Sequence, residues 1–140
     1  MNYTLPVPRS FSKGGGIKIL GKVTKGVGYG RKLGFPTANL DRRDFSRRKL
    51  KIKLGVWAGT AVFSLKTYRA GIVIGPLDAS NLPKIEAYLI DFKGNLYGRK
   101  ITLYLLKYLR PFKTFKNEQD LKIQINKDVV LINNLKIKNL

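Results

Sequence analysis

Residues 26–40 read GVGYGRKLGFPTANL, a glycine-rich run with two cations that ends in a Pro-Thr-Ala-Asn tetrad. Glycines let backbone N–H groups approach phosphate oxygens closely, and the two cations would add positive charge. The run is not a P-loop, because no Gly-Lys-Ser/Thr closes it, and Leu33 stands where a dinucleotide-binding fingerprint has its third glycine. Two interpretations therefore stay open: a loop that holds an anion, or a surface loop whose cations are solvated.

The tetrad that closes the run carries two oxygen-bearing side chains at alternate positions. Pro36 restricts the backbone, and on a strand Thr37 and Asn39 would point to the same face. A hydroxyl and an amide oxygen on one face suit a hard cation such as Mg²⁺, which takes oxygen ligands and keeps waters. The alternative is that both side chains bond neighbouring backbone groups at the start of a strand.

Outward from this motif, the pattern predicts short strands followed by one helix. Alternation, β-branched residues and aromatic residues predict strands at 17–24, 56–63, 68–75, 84–92 and 100–108. Asn117 can cap a helix whose apolar face is Leu121, Ile125, Val129 and Ile132, at spacings of 4, 4 and 3. Many short strands with glycine and proline turns favour a small closed or nearly closed antiparallel barrel, with the helix packed across it.

Length and composition limit the chemistry. The 140 residues contain no Cys and no His, which excludes disulfides, thiolate chemistry and imidazole catalysis. A general base must come from eight carboxylates: Asp41, Asp44, Asp78, Glu86, Asp91, Glu118, Asp120 and Asp128. The formal charge of +20 indicates attraction to polyanions, although abundant Lys, Ile and Asn also suggest a codon bias.

The ends of the chain differ from its middle. We expect a flexible tail over residues 1–15, one domain over 16–133 and a basic tail over 134–140. The sequence shows neither a secretory signal nor an apolar run long enough to span a bilayer, so we expect a cytoplasmic protein without membrane contact. We also expect a monomer.

The segment GKVTKGVGYGRKLGFPTANL, residues 21–40, is similar to the signature of the riboflavin kinase family. Later segments agree in order and spacing over roughly residues 17–132: GVWA (55–58), IE (85–86), LYG (96–98) and YLRP (108–111). The chain resembles the kinase domain that often forms the C-terminal half of bacterial bifunctional FAD synthetases, here as a stand-alone domain. The resemblance implies an all-β fold, a six-stranded antiparallel Greek-key barrel with a C-terminal α-helix.

The same resemblance implies transfer of the γ-phosphoryl group of ATP to the 5'-hydroxyl of riboflavin, giving FMN. It assigns Mg²⁺ to Thr37 and Asn39, and the flavin to Arg110, Phe112 and Phe115. The residues that would bind the nucleotide phosphates are Gly26, Gly28, Gly30, Arg31, Lys32, Gly34, Pro36 and Thr37.

Such a reaction needs one group that orients the attacking hydroxyl and takes its proton. Glu86 is the carboxylate that interrupts an apolar strand, and the resemblance places the family's catalytic glutamate at the same position. The alternative for Glu86 is a solvent-facing glutamate on an amphipathic strand.

Three departures from the family pattern matter. Without His the chain cannot carry an adenylyltransferase half, so FAD synthesis is not expected. The segment 72–79 differs from the family's pattern, and Tyr88 replaces a common His two residues after the base. Two further functions are therefore kept: a basic barrel that binds nucleic acid, in part through the run 42–53, and a flavin-binding remnant without catalysis.

Overall fold

The computed structural model describes residues 16–25 and 37–137, and this part of the chain contains six strands and two helices. They are β1 (Ile17–Thr24), β2 (Thr37–Leu40), α1 (Arg43–Arg47), β3 (Gly55–Phe63), β4 (Lys66–Leu77), β5 (Pro83–Leu89), β6 (Lys100–Arg110) and α2 (Glu118–Asn134). The predictions for the tail 1–15 and for the glycine run up to Pro36 lie outside the described residues.

The strands close into one antiparallel barrel in the order β1-β2-β5-β4-β3-β6. The ring is completed by β6, which pairs with β1 from Ile17–Leu105 to Lys22–Lys100. The pairing of β2 with β5 joins strands that are not consecutive in the chain, as in a Greek key. The expected six-stranded barrel with a C-terminal helix is confirmed.

Alternation along the strands decides what lies inside the barrel. On β5, Ile85 and Ala87 are buried in the main core, while Glu86 and Tyr88, which alternate with them, face outward. The same period places Ala38 and Leu40 of β2 in that core. Since successive side chains of a strand point to opposite faces, polar groups on β2 and β5 share the outer surface.

The basic run 42–53 contains the short helix α1. Its Phe45 is buried in the main core, although the arginines around it are exposed. The Leu20 backbone N–H of β1 donates to Asp44 Oδ2 at 3.2 Å, and Arg48 Nη2 donates to the Lys18 carbonyl at 2.7 Å. The helix thus covers the part of β1 around Lys18 and Leu20, whereas β2 pairs with β1 at Val23 and Thr24.

The second helix, α2, begins and ends in defined contacts. The Asn117 side chain accepts from the Asp120 backbone N–H at 2.8 Å, which confirms the expected cap. At the other end, Arg69 Nη1 donates to the carbonyls of Ile132 (2.7 Å) and Leu135 (2.6 Å). Leu135, a residue of the expected C-terminal tail, packs against the outer cluster beside Ile132.

The helix packs on the outer face of the barrel through a second apolar cluster. Its buried members are Ala58 of β3, Tyr88 of β5 and Ile132 of α2. Gly71 of β4 makes room for the Tyr88 ring, because a Cβ at Gly71 would lie 2.1 Å from Tyr88 Cζ. Among the described residues, no helix is long and apolar enough to cross a membrane.

Candidate active site

The polar residues of β2 and β5 face one another across a strand pair. Asn39 lies directly opposite Glu86, and Thr37 lies directly opposite Tyr88. Directly opposite residues of an antiparallel pair have Cα atoms about 4.5–5.5 Å apart and side chains on one face. Strand pairing therefore gathers Thr37, Asn39 and Glu86, three of the residues that the sequence assigned to the site.

A cleft of about 430 Å³ opens beside β2. Both Thr37 and Asn39 line it, while Glu86 does not, so Asn39 is the link between the cleft and the carboxylate. The rest of the lining comes from β1, β5 and the β5–β6 connection: Val23, Thr24, Lys25, Ala38, Ala87, Leu89, Phe92, Gly94, Asn95, Leu96 and Tyr97.

The Glu86 carboxylate is half-buried, and its surroundings keep it receptive to a proton. Burial raises the pKa of Glu86 above its ordinary value, while the positive charge of Lys84 acts in the opposite direction. Within the described part of the chain, no hydrogen bond or ion pair occupies this carboxylate. A raised pKa makes the Glu86 carboxylate a stronger proton acceptor than an ordinary glutamate.

The donors beside the cleft fit a weakly held hard cation. The Thr37 hydroxyl and the Asn39 amide are half-buried and lie on one face, as predicted. No group of three or more His, Cys, Asp or Glu side chains that could hold a metal occurs in residues 16–25 and 37–137. Two neutral oxygens, from the Thr37 hydroxyl and the Asn39 amide, suit Mg²⁺, because this ion keeps several waters and takes further oxygen ligands from the phosphates of a nucleotide.

Arg110, expected at the flavin, is held in a buried ion pair. Its Nε lies 3.0 Å from Asp128 Oδ1, and its Nη2 lies 2.8 Å from Asp128 Oδ2. Asp128 of α2 is 1% exposed, and Gln124 Nε2 also donates to it at 3.1 Å. A role for Asp128 was not predicted. Its spacing of four residues from Gln124 could have indicated that the two side chains lie on the same face of the helix and can interact.

The two phenylalanines expected at the flavin lie between β6 and α2. Phe112 is 41% exposed and Phe115 is half-buried, and neither lines the cleft. The Phe112 ring lies over Gly75, where an added Cβ would be 2.9 Å from Phe112 Cζ. None of the three residues expected at the flavin therefore belongs to the lining of the cleft.

The structure also adds cleft residues to which the sequence assigned no role. Tyr97 is 53% exposed, and the Lys25 ammonium lies over its ring, 5.6 Å from the centroid. Phe92 contributes a second aromatic side chain to the lining. The Lys-Gly-Asn turn at 93–95 is the sequence signal that could have pointed to this wall.

Comparison with known proteins identifies the family of this chain. The family model described as riboflavin kinase (flavokinase) matches residues 13–136. The RNA-binding riboflavin kinase RibR of Bacillus subtilis is 38% identical over 114 residues, which are 79% of this chain and 47% of that protein. The bifunctional riboflavin kinase/FMN phosphatase of Arabidopsis thaliana is 34% identical over 79% of this chain and 30% of that protein.

Two solved structures share the fold. A Streptococcus pneumoniae structure described as a macrolide-efflux protein has a TM-score of 0.74 and 26% identity, and covers 85% of this chain and 39% of that chain. The riboflavin kinase of Trypanosoma brucei has a TM-score of 0.60 and 24% identity, and the match covers 85% of this chain and 78% of that chain.

Because the family model matches nearly the whole chain, this protein belongs to the riboflavin kinase family. The chain spans less than half the length of these two curated relatives.

Proposed function

We propose that the chain is a riboflavin kinase that transfers the γ-phosphoryl group of ATP to the 5'-hydroxyl of riboflavin. The observation that carries the proposal is the pairing of Glu86 with Asn39, because it brings a carboxylate next to a residue that lines the cleft. Family membership supports riboflavin as the acceptor.

In the proposed reaction, the 5'-oxygen of riboflavin forms a bond to the γ-phosphorus of ATP. The bond from that phosphorus to the bridging oxygen breaks, and ADP leaves with the electron pair. The proton of the hydroxyl passes to Glu86, which acts as the general base. FMN, ADP and one proton are the products, so atoms and charges balance.

The nucleotide would occupy the cleft beside β2. Its volume of about 430 Å³ lies within the range of small-molecule sites. Phe92 and Tyr97 offer apolar surface for the adenine ring of ATP, and Lys25 offers positive charge for its phosphates. The glycine run that precedes β2 along the chain would supply backbone N–H groups to the phosphates, as its sequence suggests.

Thr37 and Asn39 would hold Mg²⁺ together with the phosphate oxygens. The chemistry that Mg²⁺ supplies when bound is neutralisation of the charge on the transferring phosphoryl group. On the other side of the reacting atoms, Arg110, Phe112 and Phe115 would contact the flavin.

Incubation with riboflavin, ATP and Mg²⁺, followed by chromatography, tests the proposal directly. We expect FMN from the wild type, and at least ~10²-fold less from Glu86→Gln. Absence of FMN under conditions in which a known flavokinase works would refute the function. Quenching of flavin fluorescence without FMN would instead identify a flavin-binding remnant.

A second candidate function rests on a basic face beside β1. Its exposed cations are Lys18, Lys22, Arg43, Arg47, Arg48, Lys49 and Lys100. Asp41 and Asp44, the neighbouring carboxylates, already pair with arginines of this face. Lys22 and Lys100 lie directly opposite each other, a pairing of like charges that is unfavourable without an anion. This face suits the phosphodiester backbone of a nucleic acid, and the relative named RNA-binding supports the proposal.

Fluorescence anisotropy with a labelled RNA at two salt concentrations tests this second function. We expect Lys22→Glu/Arg43→Glu to weaken binding about tenfold, because each phosphate contact contributes to a steep dependence on salt. The matched control Lys66→Glu/Lys127→Glu makes the same charge change elsewhere. Equal weakening in both variants, or equal affinity for anionic vesicles, would refute a specific nucleic-acid surface.

A further inference from the structure

Asp128 is a buried carboxylate that the proposed reaction does not use. Only 1% of the residue is exposed, yet three side-chain nitrogens donate to it. They are Arg110 Nε (3.0 Å to Oδ1), Arg110 Nη2 (2.8 Å to Oδ2) and Gln124 Nε2 (3.1 Å to Oδ1). Burying a carboxylate is costly unless its partners are well placed, and replacing such a pair by apolar groups often stabilises a protein. Stability alone therefore explains this pair poorly.

The bonds around Asp128 fix the orientation of the Arg110 guanidinium. A planar guanidinium bound through two nitrogens to one carboxylate cannot rotate freely. Its remaining nitrogen, Nη1, donates to the Pro111 carbonyl at 3.2 Å. Asp128 thereby sets the backbone at the point where the chain leaves β6 for the segment 111–117.

The same carboxylate reaches the middle of that segment. Lys113 Nζ donates to Gln124 Oε1 at 3.3 Å, and Gln124 in turn donates to Asp128. The segment ends at Asn117, whose side chain caps the helix that carries Asp128. Phe112 and Phe115 lie between these attachments, so their backbone is anchored on both sides to α2.

The network also lies close to the face that carries the base. The charges of Asp128 and Arg110 both act on the Tyr88 hydroxyl. Tyr88 follows Glu86 by two residues on the outer face of β5, opposite Thr37. The Arg110–Asp128 pair is thus near the residue that lies two positions after Glu86 on β5.

We propose that Asp128 is a positioning residue that, through Arg110 and Gln124, holds segment 111–117 in the shape that accepts the isoalloxazine ring and ribityl chain of the flavin. This inference rests on the proposed function, since it assumes that the acceptor is riboflavin. Asp128 touches neither substrate, and it acts through the residues that it holds.

Asp128→Asn tests the role, because it removes the charge and keeps the size of the side chain. We expect the KM for riboflavin to rise about tenfold, while the KM for ATP stays within about twofold. Hydrogen exchange without any ligand should become faster in residues 111–117. The matched control Asp120→Asn makes the same change at an exposed position of α2 and should leave all three quantities unchanged.

Each outcome decides a separate point. Equal rises of both KM values, or a loss of thermal stability with an unchanged KM for riboflavin, would show a structural role and overturn the inference. If Asp128→Asn does not fold, Gln124→Leu tests the role instead, because it removes only the hydrogen bonds that join Lys113 to Asp128 through Gln124. We expect this variant to raise the riboflavin KM about threefold; no rise would overturn the inference. If the wild type makes no FMN, the proposed function fails, and the exchange of residues 111–117 still decides whether Asp128 positions them.

Discussion

Glu86 on β5 lies directly opposite Asn39 on β2, so that a carboxylate and an amide share one outer face of the barrel. Asn39 lines the cleft and Glu86 does not, so the proposed base lies next to the cleft and not in its wall.

Replacing the Glu86 carboxylate by an amide should remove the base and keep the shape. We expect Glu86→Gln to lower kcat by at least ~10²-fold, in line with the usual contribution of a positioned base, while flavin binding persists. Turnover and fluorescence quenching measure the two effects. Glu118→Gln, the same change at an exposed helix start, is the control. Turnover of Glu86→Gln near that of the control would exclude Glu86 as the base.

The rate should depend on pH through the ionisation of Glu86. Burial raises the pKa of this carboxyl, and only the ionised form can accept the proton. We therefore expect kcat/KM to rise with pH, with a midpoint above the ordinary pKa of a glutamate. A pH series in buffers of constant ionic strength measures it. A midpoint at or below the ordinary value would contradict the prediction.

The same raised pKa should make Glu86 a source of instability at neutral pH. Between the unfolded and the folded pKa, the folded state binds more protons, so the free energy of unfolding falls as pH rises through this window. We expect the Tm of Glu86→Gln, relative to the wild type, to increase from pH 4 to pH 8. Thermal unfolding of both proteins measures this difference. A Tm difference that does not change with pH would argue against a raised pKa.

The hydroxyl of Thr37 should matter for the metal-nucleotide complex and not for the flavin. Thr37→Val keeps the shape of the side chain and removes one oxygen from the face that includes Asn39. We expect at least a ~10-fold higher Mg²⁺ concentration for half-maximal rate, by analogy with the loss of an outer metal partner. Titration of Mg²⁺ at fixed ATP measures it, and Thr67→Val on β4 is the matched control. A shift in the riboflavin KM instead would place Thr37 on the flavin side.

The contact between Gly71 and Tyr88 should be intolerant of a methyl group. A Cβ at Gly71 would lie 2.1 Å from Tyr88 Cζ, so the ring must move and the packing of α2 must change. We expect Gly71→Ala to destabilise the fold by about 1–3 kcal/mol, as overpacking does. Chemical denaturation measures the loss. The double variant Gly71→Ala/Tyr88→Leu should recover part of it; no recovery would show that the ring is not the cause.

Local patterns were sufficient to predict five of the six strands of the barrel and the C-terminal helix. The signals for these elements are local, because each involves only residues that are close together in the chain. They are the alternation of apolar residues, the glycine turns and the helical spacing of Leu121, Ile125, Val129 and Ile132. The helix cap at Asn117 is equally local and was confirmed. The strand ends differ by a few residues, because pairing with a partner strand extends β4 to 66–77 and shortens β5 to 83–89.

Relations between distant residues could not be predicted in the same way. The register of Asn39 with Glu86 joins strands that are not consecutive, and no local pattern specifies it. Arg110 and Asp128 are 18 residues apart, and with 28 Lys and Arg in the chain the sequence cannot choose the partner of a carboxylate. A single Phe45 among cations has no periodicity, so helix α1 and its contact with the core were missed.

The position of β2 has a consequence for how nucleotide binding and the closure of the barrel are linked. The strand pairs with β1 on one side and with β5 on the other, so these pairings close the ring at this point. A nucleotide that bound at Thr37 and Asn39 would favour the paired state by mass action. Substrate occupancy and closure of the ring would then be thermodynamically coupled.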